Sequence, residues 1–531
     1  MSPRYTAAAL ALALVTTGCA TAGSATDPAQ AGPPKEGGTL TLGIAFNPDC
    51  LDPQQTGVNA ALNITRQLVD SLTDQDPRTG EIKPWLARKW TVNDTSTIFT
   101  FELTPGATFA DGTPVDAAAV RTNFEQIVKL GAKSQLAAGY LAGLKEITAV
   151  DAGTLKVEFA QPSTQFLQAT STMSLGLLSP KAYLDTTPER RCQGEGLIGS
   201  GPFTFGEFRQ NQQVVITKRK GYTWGSSLWS RRGEAYLDKV VYRIIPEPGV
   251  RTGALRSNQV DAITDVQPQD EGQFSTGFHR PVRPNPGVAF NLTANTTRPV
   301  LAEEKVRQAV QKAVNRQEVV DTVLTSNYKP ATSILASTTP LFEDLGDRLR
   351  HDPDGARKLL DEAGWVPGGD AIRVKGGQRL AAEVLFASNF NQNQTMLELI
   401  QQQLRTIGFE LRLKLVTPGE SAQLQQAGNF DFTWFNVTRS DPDMLRVLYH
   451  PKLRNLSKLP AATALEKQLD LQATDLSRRR TAVSDAQREI VDKAYAIPVF
   501  ELTQVWAASL KVHGFDFEAS SRLQLHDAWV S

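Results

Sequence analysis

The sequence predicts a mixed α/β protein with two or three domains. Its 531 residues are more than a single hydrophobic core usually serves. Segments of strand-like alternation intermix with segments of helical spacing along the whole chain. With 40% hydrophobic and 21% charged residues, the composition is that of a globular protein rather than a disordered chain, collagen or a coiled coil.

Strands are predicted where apolar residues alternate with polar ones or where β-branched residues cluster. These segments are 37–44, 98–103, 155–159, 203–205, 240–245, 260–263, 384–387, 409–416, 430–437 and 497–500. Helices are predicted where apolar residues recur three and four apart, with Asn63 and Ser477 as caps of two of them. These segments are 63–72, 116–130, 251–258, 303–323, 353–363, 395–407, 461–476 and 477–494.

The amino terminus has the pattern of an export signal. Arg4 precedes an apolar run over 7–15, and small residues lead to Cys19. The Cys after Gly18 resembles the acylated Cys of bacterial lipoproteins, although Thr16 stands where Leu is usual. We expect a signal peptide over 1–18, lipidation of Cys19 and a flexible tether over 19–36. A plain secretory signal with a coincidental Cys is the alternative.

Charge and motif content argue against nucleic-acid binding and against catalysis. The chain has 56 Lys and Arg residues and 56 Asp and Glu residues, so no net field attracts nucleic acid. Its 5 His residues form no HExxH motif, and neither a GxSxG elbow nor a phosphate-binding GxxxxGK[ST] loop is present. We therefore predict no enzyme activity, no cofactor and no metal ligands.

Two cysteines remain after Cys19. Cys50 and Cys192 allow one intramolecular pairing, and an exported chain meets oxidising conditions. A disulfide is predicted, and two buried free thiols are the alternative.

Six stretches of the chain share a recognisable order. They comprise PWLARKW at 84–90 with FTFELTPGATF and DGTPV at 99–115, GSGPF at 199–203, FNL with VRQAV and AVNR at 290–316, the segment 354–365, LRTIGF at 404–409 and AIPV at 496–499. In this order they resemble the peptide/nickel-binding family of bacterial extracellular solute-binding proteins. The aromatic residues of the first stretch are predicted to fill a core and its glycines to form turns.

The resemblance implies a fold and a domain division. The fold is α/β, two-lobed and periplasmic-binding-protein-like (type II, cluster C), with an additional subdomain and a two-crossing hinge. Lobe one is expected over 37–82, 183–283 and 495–531, the extra subdomain over 83–182, and lobe two over 284–494. The chain then crosses between the lobes near residues 283 and 495.

The resemblance also places ligand contacts on the strand before an Asp-Pro pair. In peptide-binding relatives this strand pairs with the ligand backbone, and an Asp holds its ammonium group. Here only one of Trp434 and Phe435 should face the cleft, and Asn436 and Thr438 lie on Trp434's side. Thr438 falls on or near the ammonium-binding position, so a blocked amino terminus is one expectation.

Arg439 follows Thr438 and has two interpretations. It holds a ligand anion, in which case removing it costs about 2–5 kcal/mol of binding. Alternatively it pairs with Asp441 or Asp443. Asp441 is itself a predicted cleft residue.

Further cleft residues are expected at two loops. Asn389 and Asn391 precede the helix predicted from 395, where Asn393 or Gln394 caps it in the alternative interpretation. Phe46 and Asn47 follow the first strand, where relatives contact the ligand from lobe one.

Together these observations predict a monomeric, lipid-anchored protein on the outer face of the cell membrane. It captures a peptide or peptide-like solute for the permease subunits of an ABC importer. A non-peptide anionic solute or a metal–chelator complex, such as a nickel metallophore, is the alternative.

Overall fold

The computed structural model describes residues 32–387 and 390–531. Residues Lys35–Ser531 form one compact unit, and the preceding segment is a separate unit that lies almost wholly outside the described residues. The predicted signal peptide, Cys19 and Asn389 also lie outside them.

The first large sheet has seven strands and contains the first strand of the compact unit. Thr39–Ile44 runs parallel to a neighbouring strand on each side. The side chains of its residues Leu40 and Leu42 are buried in the core. In spatial order the strands are Phe278–His279, Ala507–Ser509, Ala262–Ile263, Thr39–Ile44, Lys239–Ile244, Gln213–Lys218 and Phe203–Arg209.

The second large sheet has six strands. Its centre is an antiparallel pair, Gly287–Ala294 with Phe432–Thr438, and we call the latter the cleft strand. Phe290 stacks on Phe500 with ring centroids 4.8 Å apart, which fixes the core on one face. In spatial order the strands are Lys329–Pro330, Ala496–Glu501, Gly287–Ala294, Phe432–Thr438, Ala381–Phe386 and Glu410–Leu415.

A two-stranded antiparallel ribbon connects the two large sheets. Val282–Pro284 pairs with Thr503–Val505, so the two crossings run side by side. The boundary predicted at 495 is therefore wrong: Ala496–Glu501 still pairs with Gly287–Ala294 in the six-stranded sheet, and the chain crosses only after it.

A four-stranded antiparallel sheet contains the predicted signature. Its strands, in spatial order, are Ala87–Val92, Ile98–Leu103, Thr154–Phe159 and Leu144–Asp151. Its core confirms the packing interpretation, with Trp85, Phe99, Phe101 and Phe109 buried against the helix Ala117–Leu130. Gly106 and Gly112 both have a φ of +82°, as the predicted turns require.

The remaining strands form small sheets at the periphery. They are the trio Val366–Pro367, Arg373–Lys375 and Gln378–Arg379, and the pairs Thr73–Gln75 with Ile82–Pro84, Val512–His513 with Trp529–Val530, and Asp516–Phe517 with Leu523–Gln524.

The α-helices cover the sheets, and two of them lack the N-cap residue that the sequence predicts. They are Asn59–Thr65, Ala117–Leu130, Ala137–Tyr140, Phe166–Ala169, Pro180–Asp185, Pro188–Cys192, Pro248–Arg256, Pro299–Ala302, Glu304–Ala313, Arg316–Val323, Pro353–Glu362, Asn393–Arg405, Pro418–Ala427, Met444–Tyr449, Ala464–Thr474 and Arg479–Asp492. Asn63 lies inside its helix, where its side chain accepts the backbone N–H of Leu523 instead of capping. Ser477 bonds to Asp475 and precedes its helix by two residues.

The predicted disulfide between Cys50 and Cys192 is confirmed. The two sulfur atoms lie 1.98 Å apart and the bond links positions separated by 142 residues. Beside it, Arg191 Nε donates to Asp52 Oδ2 at 2.9 Å, with both side chains buried. This pair and the disulfide attach the segment before the first helix to the helix Pro188–Cys192.

Among the helices of the described ranges, none combines the length and the apolar character needed to cross a membrane.

Candidate ligand-binding cavity

A cavity of about 670 Å³ lies between the two large sheets. The seven-stranded side contributes Phe46 and the helix Asn59–Thr65, and the six-stranded side contributes Phe290 and Tyr328. The crossing ribbon forms part of the wall through Thr503–Val505. Small-molecule sites typically enclose about 300–1,000 Å³, so this volume suits a small solute.

The cleft strand presents an unpaired backbone edge to this cavity. Gly287–Ala294 pairs with it on one side from Phe432 to Thr438. On the other side, within the described ranges, only Phe432 and Thr433 pair with a strand. Asn436, Val437 and Thr438 line the cavity. The backbone that follows Thr433 is therefore free to accept another strand from this side.

Four of the predicted site residues meet at this cavity. Phe46, Asn391, Asn436 and Thr438 all line it, and Phe46 is 53% exposed. These residues come from both large sheets, as the resemblance implied. Thr438 Oγ1 also accepts a hydrogen bond from Asn285 Nδ2 at 2.9 Å, which fixes its rotamer.

Asn47 does not line the cavity. Its Nδ2 donates to Asp49 at 3.0 Å, and its Oδ1 accepts the backbone N–H of Asn211 at 3.1 Å. It holds a loop together beside Phe46.

Trp434 also differs from the prediction, because its indole is buried in the core. Its ring stacks on Phe290 at 5.3 Å, and Nε1 donates to Asn393 Oδ1 at 2.8 Å. Phe435 packs against a different core, so the predicted alternation holds, but neither ring reaches the cavity. Asn393 does not cap its helix, whose N-cap position belongs to Gln392.

Arg439 and Asp441 lie outside the lining of this cavity. The guanidinium of Arg439 lies 4.6 Å from the ring centroid of Tyr140, and its Nε is buried without a hydrogen-bond partner. Asp441 instead pairs with Arg479 at 2.5 Å in the wall of a second cavity of about 390 Å³.

The prediction that Arg439 pairs with Asp441 or Asp443 is wrong, because each of these two acids pairs with another arginine. Asp443 binds Arg446 through two hydrogen bonds of 2.7 and 2.9 Å, and Asp441 binds Arg479.

Sequence reasoning missed all three charged residues that line the cavity. These are Arg251, Asp265 and Arg522 among the residues that the structure describes. Arg251 lies in the helix Pro248–Arg256, whereas Asp265 and Arg522 lie outside helices and strands. All three are far along the chain from the cleft strand, so no local pattern identified them. Together these three side chains carry one net positive charge.

Arg251 is held by backbone carbonyl groups. Its guanidinium donates to the carbonyl oxygens of Ile245, Pro246, Thr264 and Asp265 at 2.8–3.1 Å. Burial lowers the pKa of Arg251, and the nearby charge of Asp265 opposes that shift. These two charges partly neutralise each other.

The positive charge of Arg522 is balanced by fewer contacts than that of Arg251. It is 4% exposed, and its side chain makes one hydrogen bond, from Nη1 to the carbonyl oxygen of Ser520 at 2.5 Å. Nε is buried without a partner. Burial lowers the pKa of Arg522, with Glu518 as the main opposing charge.

Side-chain amides bridge the two large sheets across the cavity. Gln267 Oε1 accepts from Asn391 Nδ2 and from Gln392 Nε2, both at 3.1 Å. Gln267 follows a strand of the seven-stranded sheet, whereas the other two precede a helix beside the cleft strand. These bonds hold the cavity walls together.

One group of potential metal ligands lies elsewhere, at His450, Glu466 and Asp470. His450 Nδ1 accepts the backbone N–H of Lys452 at 3.1 Å. A neutral imidazole with that acceptor carries its proton on Nε2, which lies 3.0 Å from Asp470. Its geometry is that of a hydrogen-bonded histidine, and none of the three lines the cavity.

The sequence matches the family described as bacterial extracellular solute-binding proteins, family 5 Middle, over residues 81–453. The chain belongs to this family. Its members bind solutes for transport, so the protein is an extracellular solute-binding protein of family 5 rather than a member of an enzyme family.

Curated relatives of this family 5 protein match most of its length. The nickel-binding periplasmic protein of Escherichia coli (strain K12) is 26% identical over 79% of this chain and 81% of the relative. A probable D,D-dipeptide-binding periplasmic protein of the same organism is 24% identical over 92% and 93%.

A solved structure confirms the predicted fold. NikA from Brucella suis, in complex with Fe(III)-EDTA, superposes with a TM-score of 0.81 at 22% identity. The match covers 93% of the family 5 protein and all of NikA (100%). The fold is therefore the predicted α/β fold of periplasmic-binding-protein type.

Proposed function

We propose that this protein captures a short peptide or peptide-like solute outside the cytoplasm and delivers it to an ABC importer. The observation that carries the proposal is the unpaired edge of the cleft strand beside a cavity of about 670 Å³. An extended peptide adds to such an edge through backbone hydrogen bonds. That binding mode depends little on ligand side chains.

The cavity residues support this mode. Asn436 and Thr438 offer polar side chains beside the free edge, and Asn391 faces it from the neighbouring loop. The apolar walls contributed by Phe46, Phe290 and Tyr328 suit ligand side chains. A curated relative is named for D,D-dipeptide binding, which is peptide-like chemistry.

Delivery requires that the cavity opens and closes. The lobes would be the regions around the two large sheets, with the extra subdomain around the four-stranded sheet. The crossing ribbon Val282–Pro284 with Thr503–Val505 is the hinge, and ligand shifts the population toward the closed form. The hydrogen bonds between Gln267 and the side chains of Asn391 and Gln392 stabilise the closed form.

The N-terminal sequence supports attachment to the outer face of the cell membrane. Acylated Cys19 would anchor a monomer, and 19–36 would serve as the tether between the anchor and the compact unit. Held there, the protein meets the importer's permease subunits.

Native mass spectrometry of the protein purified from its own host tests the function. The co-purified ligand is released and sequenced by fragmentation. We expect short peptides or peptide-like molecules in a one-to-one complex. A ligand without amide bonds would contradict the peptide assignment.

A non-peptide anionic solute, such as a metal–chelator complex, is the second candidate. The buried guanidinium of Arg522, with its single hydrogen bond, favours this candidate, because it suits an anion of either kind. The same spectra would then contain one acidic or metal-bound species.

A further inference from the structure

The cavity wall contains a buried positive charge that the protein itself does not satisfy. Arg522 is 4% exposed and lines the cavity. Its guanidinium has a single hydrogen bond, to the carbonyl oxygen of Ser520, and within the described residues no carboxylate lies within salt-bridge distance of it. A buried, unpaired cation is costly, so its retention at a cavity wall points to a ligand.

A tight turn fixes the backbone at Arg522. Ser521 has a φ of +60°, and the backbone N–H of Arg522 donates to Glu518 Oε1 at 2.8 Å. The next residue, Leu523, is held by Asn63 of a cavity-lining helix at 2.9 Å. The backbone at Arg522 is therefore fixed, and burial together with the hydrogen bond to Ser520 restricts the side chain, which reduces the entropy lost on binding.

The acid that opposes the effect of burial on the pKa of Arg522 is shared with two other arginines. The charge of Glu518 acts on Arg66 and Arg283 as well as on Arg522. Both of those arginines donate to backbone carbonyl groups. Asp74 and Asp70 also act on Arg66, and Asp516 also acts on Arg283, whereas Glu518 is the carboxylate that acts on Arg522.

The guanidinium of Arg522 keeps donor capacity that the protein does not use. Nη1 is used by Ser520, and Nε is buried without an acceptor. A guanidinium N–H that reaches the cavity donates a charge-assisted hydrogen bond to a carboxylate oxygen, which is stronger than a bond to a neutral acceptor.

We propose that Arg522 is the anion-recognition residue of this cavity and that the ligand carries a carboxylate which its guanidinium binds. For a peptide ligand this is the terminal carboxylate, and for a chelator it is one of its acid groups. The inference rests on the proposed solute-binding function and specifies the ligand class.

Two mixtures of random tripeptides test it, one with free carboxyl termini and one amidated. Capture by the protein purified from its own host is measured by native mass spectrometry. We expect the free acids to bind at least about tenfold better than the amides, because truncating one partner of a buried charge pair costs that much or more. Arg522→Gln should abolish this preference, whereas Arg522→Lys should retain part of it.

Arg243→Gln is the matched control, since Arg243 is exposed and lies outside the cavity. It should keep the preference for free acids. Equal binding of acids and amides, or a preference that survives in Arg522→Gln, would overturn the role of Arg522 while leaving peptide capture intact.

If neither mixture is captured, the peptide function fails and Fe(III)-EDTA becomes the probe. Binding that weakens at least about tenfold in Arg522→Gln supports the anion site. No binding of Fe(III)-EDTA, or equal binding by the variant, overturns it.

The thermal stability of the ligand-free protein distinguishes a role of Arg522 in ligand binding from a role in the fold. In the ligand-free protein, Arg522→Met should raise the unfolding temperature, because it removes a buried charge without a full set of partners. A lowered unfolding temperature would mean that Arg522 serves the fold, and would overturn the proposal.

Discussion

Two arginines near the cleft illustrate how little a residue type says without its surroundings. Arg439 was expected from the sequence to bind an anion or a neighbouring acid, yet it stacks on Tyr140. Arg522, near the end of the chain, lines the cavity with a single hydrogen bond. The chemistry of the two side chains is the same, and tertiary packing decides which one meets the ligand.

Arg439→Ala tests this distinction. We expect ligand affinity to change by less than about threefold, because the residue does not line the cavity. Stability should fall by about 0.5–1 kcal/mol through loss of the cation–π contact with Tyr140. Calorimetry with the co-purified ligand measures the first effect. A loss of about 2–5 kcal/mol in binding would restore the ligand-anion role.

Asp70 makes stability depend on pH. Its buried carboxylate accepts from Tyr222 and Trp224 at 3.0 and 2.9 Å, and burial raises the pKa of Asp70 to about 7. A raised pKa means that the folded state holds the proton more tightly than the unfolded state. Its contribution is therefore fully present below about pH 4 and is lost as the pH rises through about 7.

Asp70→Asn should flatten this dependence. Urea unfolding at about pH 5 and about pH 8 gives the two free energies of unfolding for each protein. We expect a smaller difference between the two pH values in Asp70→Asn than in the unsubstituted protein. Exposed Asp94→Asn is the control and should leave the difference unchanged. An unaltered difference in Asp70→Asn would contradict the assigned pKa.

At the scale of elements, local patterns predicted the strands better than the helix ends. The apolar, aromatic-rich segment 430–437 was predicted as a strand and corresponds to Phe432–Thr438, whereas the expected place of Asn436 and Thr438 in the cleft came from the family resemblance. The helix predicted over 63–72 instead occupies Asn59–Thr65, and Asn63 and Arg66 bond to Leu523 and Ser171, which are far away along the chain. Propensity cannot report such partners, since they come from distant parts of the chain.

The disulfide is an element whose removal has a calculable cost. It closes a loop of 142 residues between Cys50 and Cys192. The double substitution Cys50→Ala with Cys192→Ala should lower the free energy of unfolding by about 2–5 kcal/mol, since the unfolded chain gains freedom. Denaturant titration measures this change. An unchanged midpoint would mean that the nearby Arg191–Asp52 pair suffices to hold this region.

For the molecule as a whole, the sequence predicted the fold because the recognised stretches cover most of the chain in order. The division into lobes was less accurate at 495, because the strand Ala496–Glu501 pairs back into the six-stranded sheet before the chain crosses. Among the predicted ligand-binding residues, Phe46, Asn391, Asn436 and Thr438 line the cavity. Arg522 was not, because only folding brings the last residues of the chain to this wall.

Membrane attachment is a prediction about the whole molecule. Cys19→Ser should release the protein from the membrane fraction into the medium or periplasm, and should abolish its labelling by palmitate. Cell fractionation with radioactive palmitate measures both effects. Cys50 is a suitable control position, because its sulfur already forms the disulfide. Continued labelling of Cys19→Ser would contradict anchoring at that residue.

A crystal structure of the protein with its co-purified ligand tests solute capture in this cavity. We expect a short peptide or peptide-like molecule in the cavity of about 670 Å³, with its backbone paired to the cleft strand after Thr433 and a carboxylate on Arg522. A ligand bound outside this cavity, or one that leaves both the strand edge and Arg522 without contacts, would contradict it.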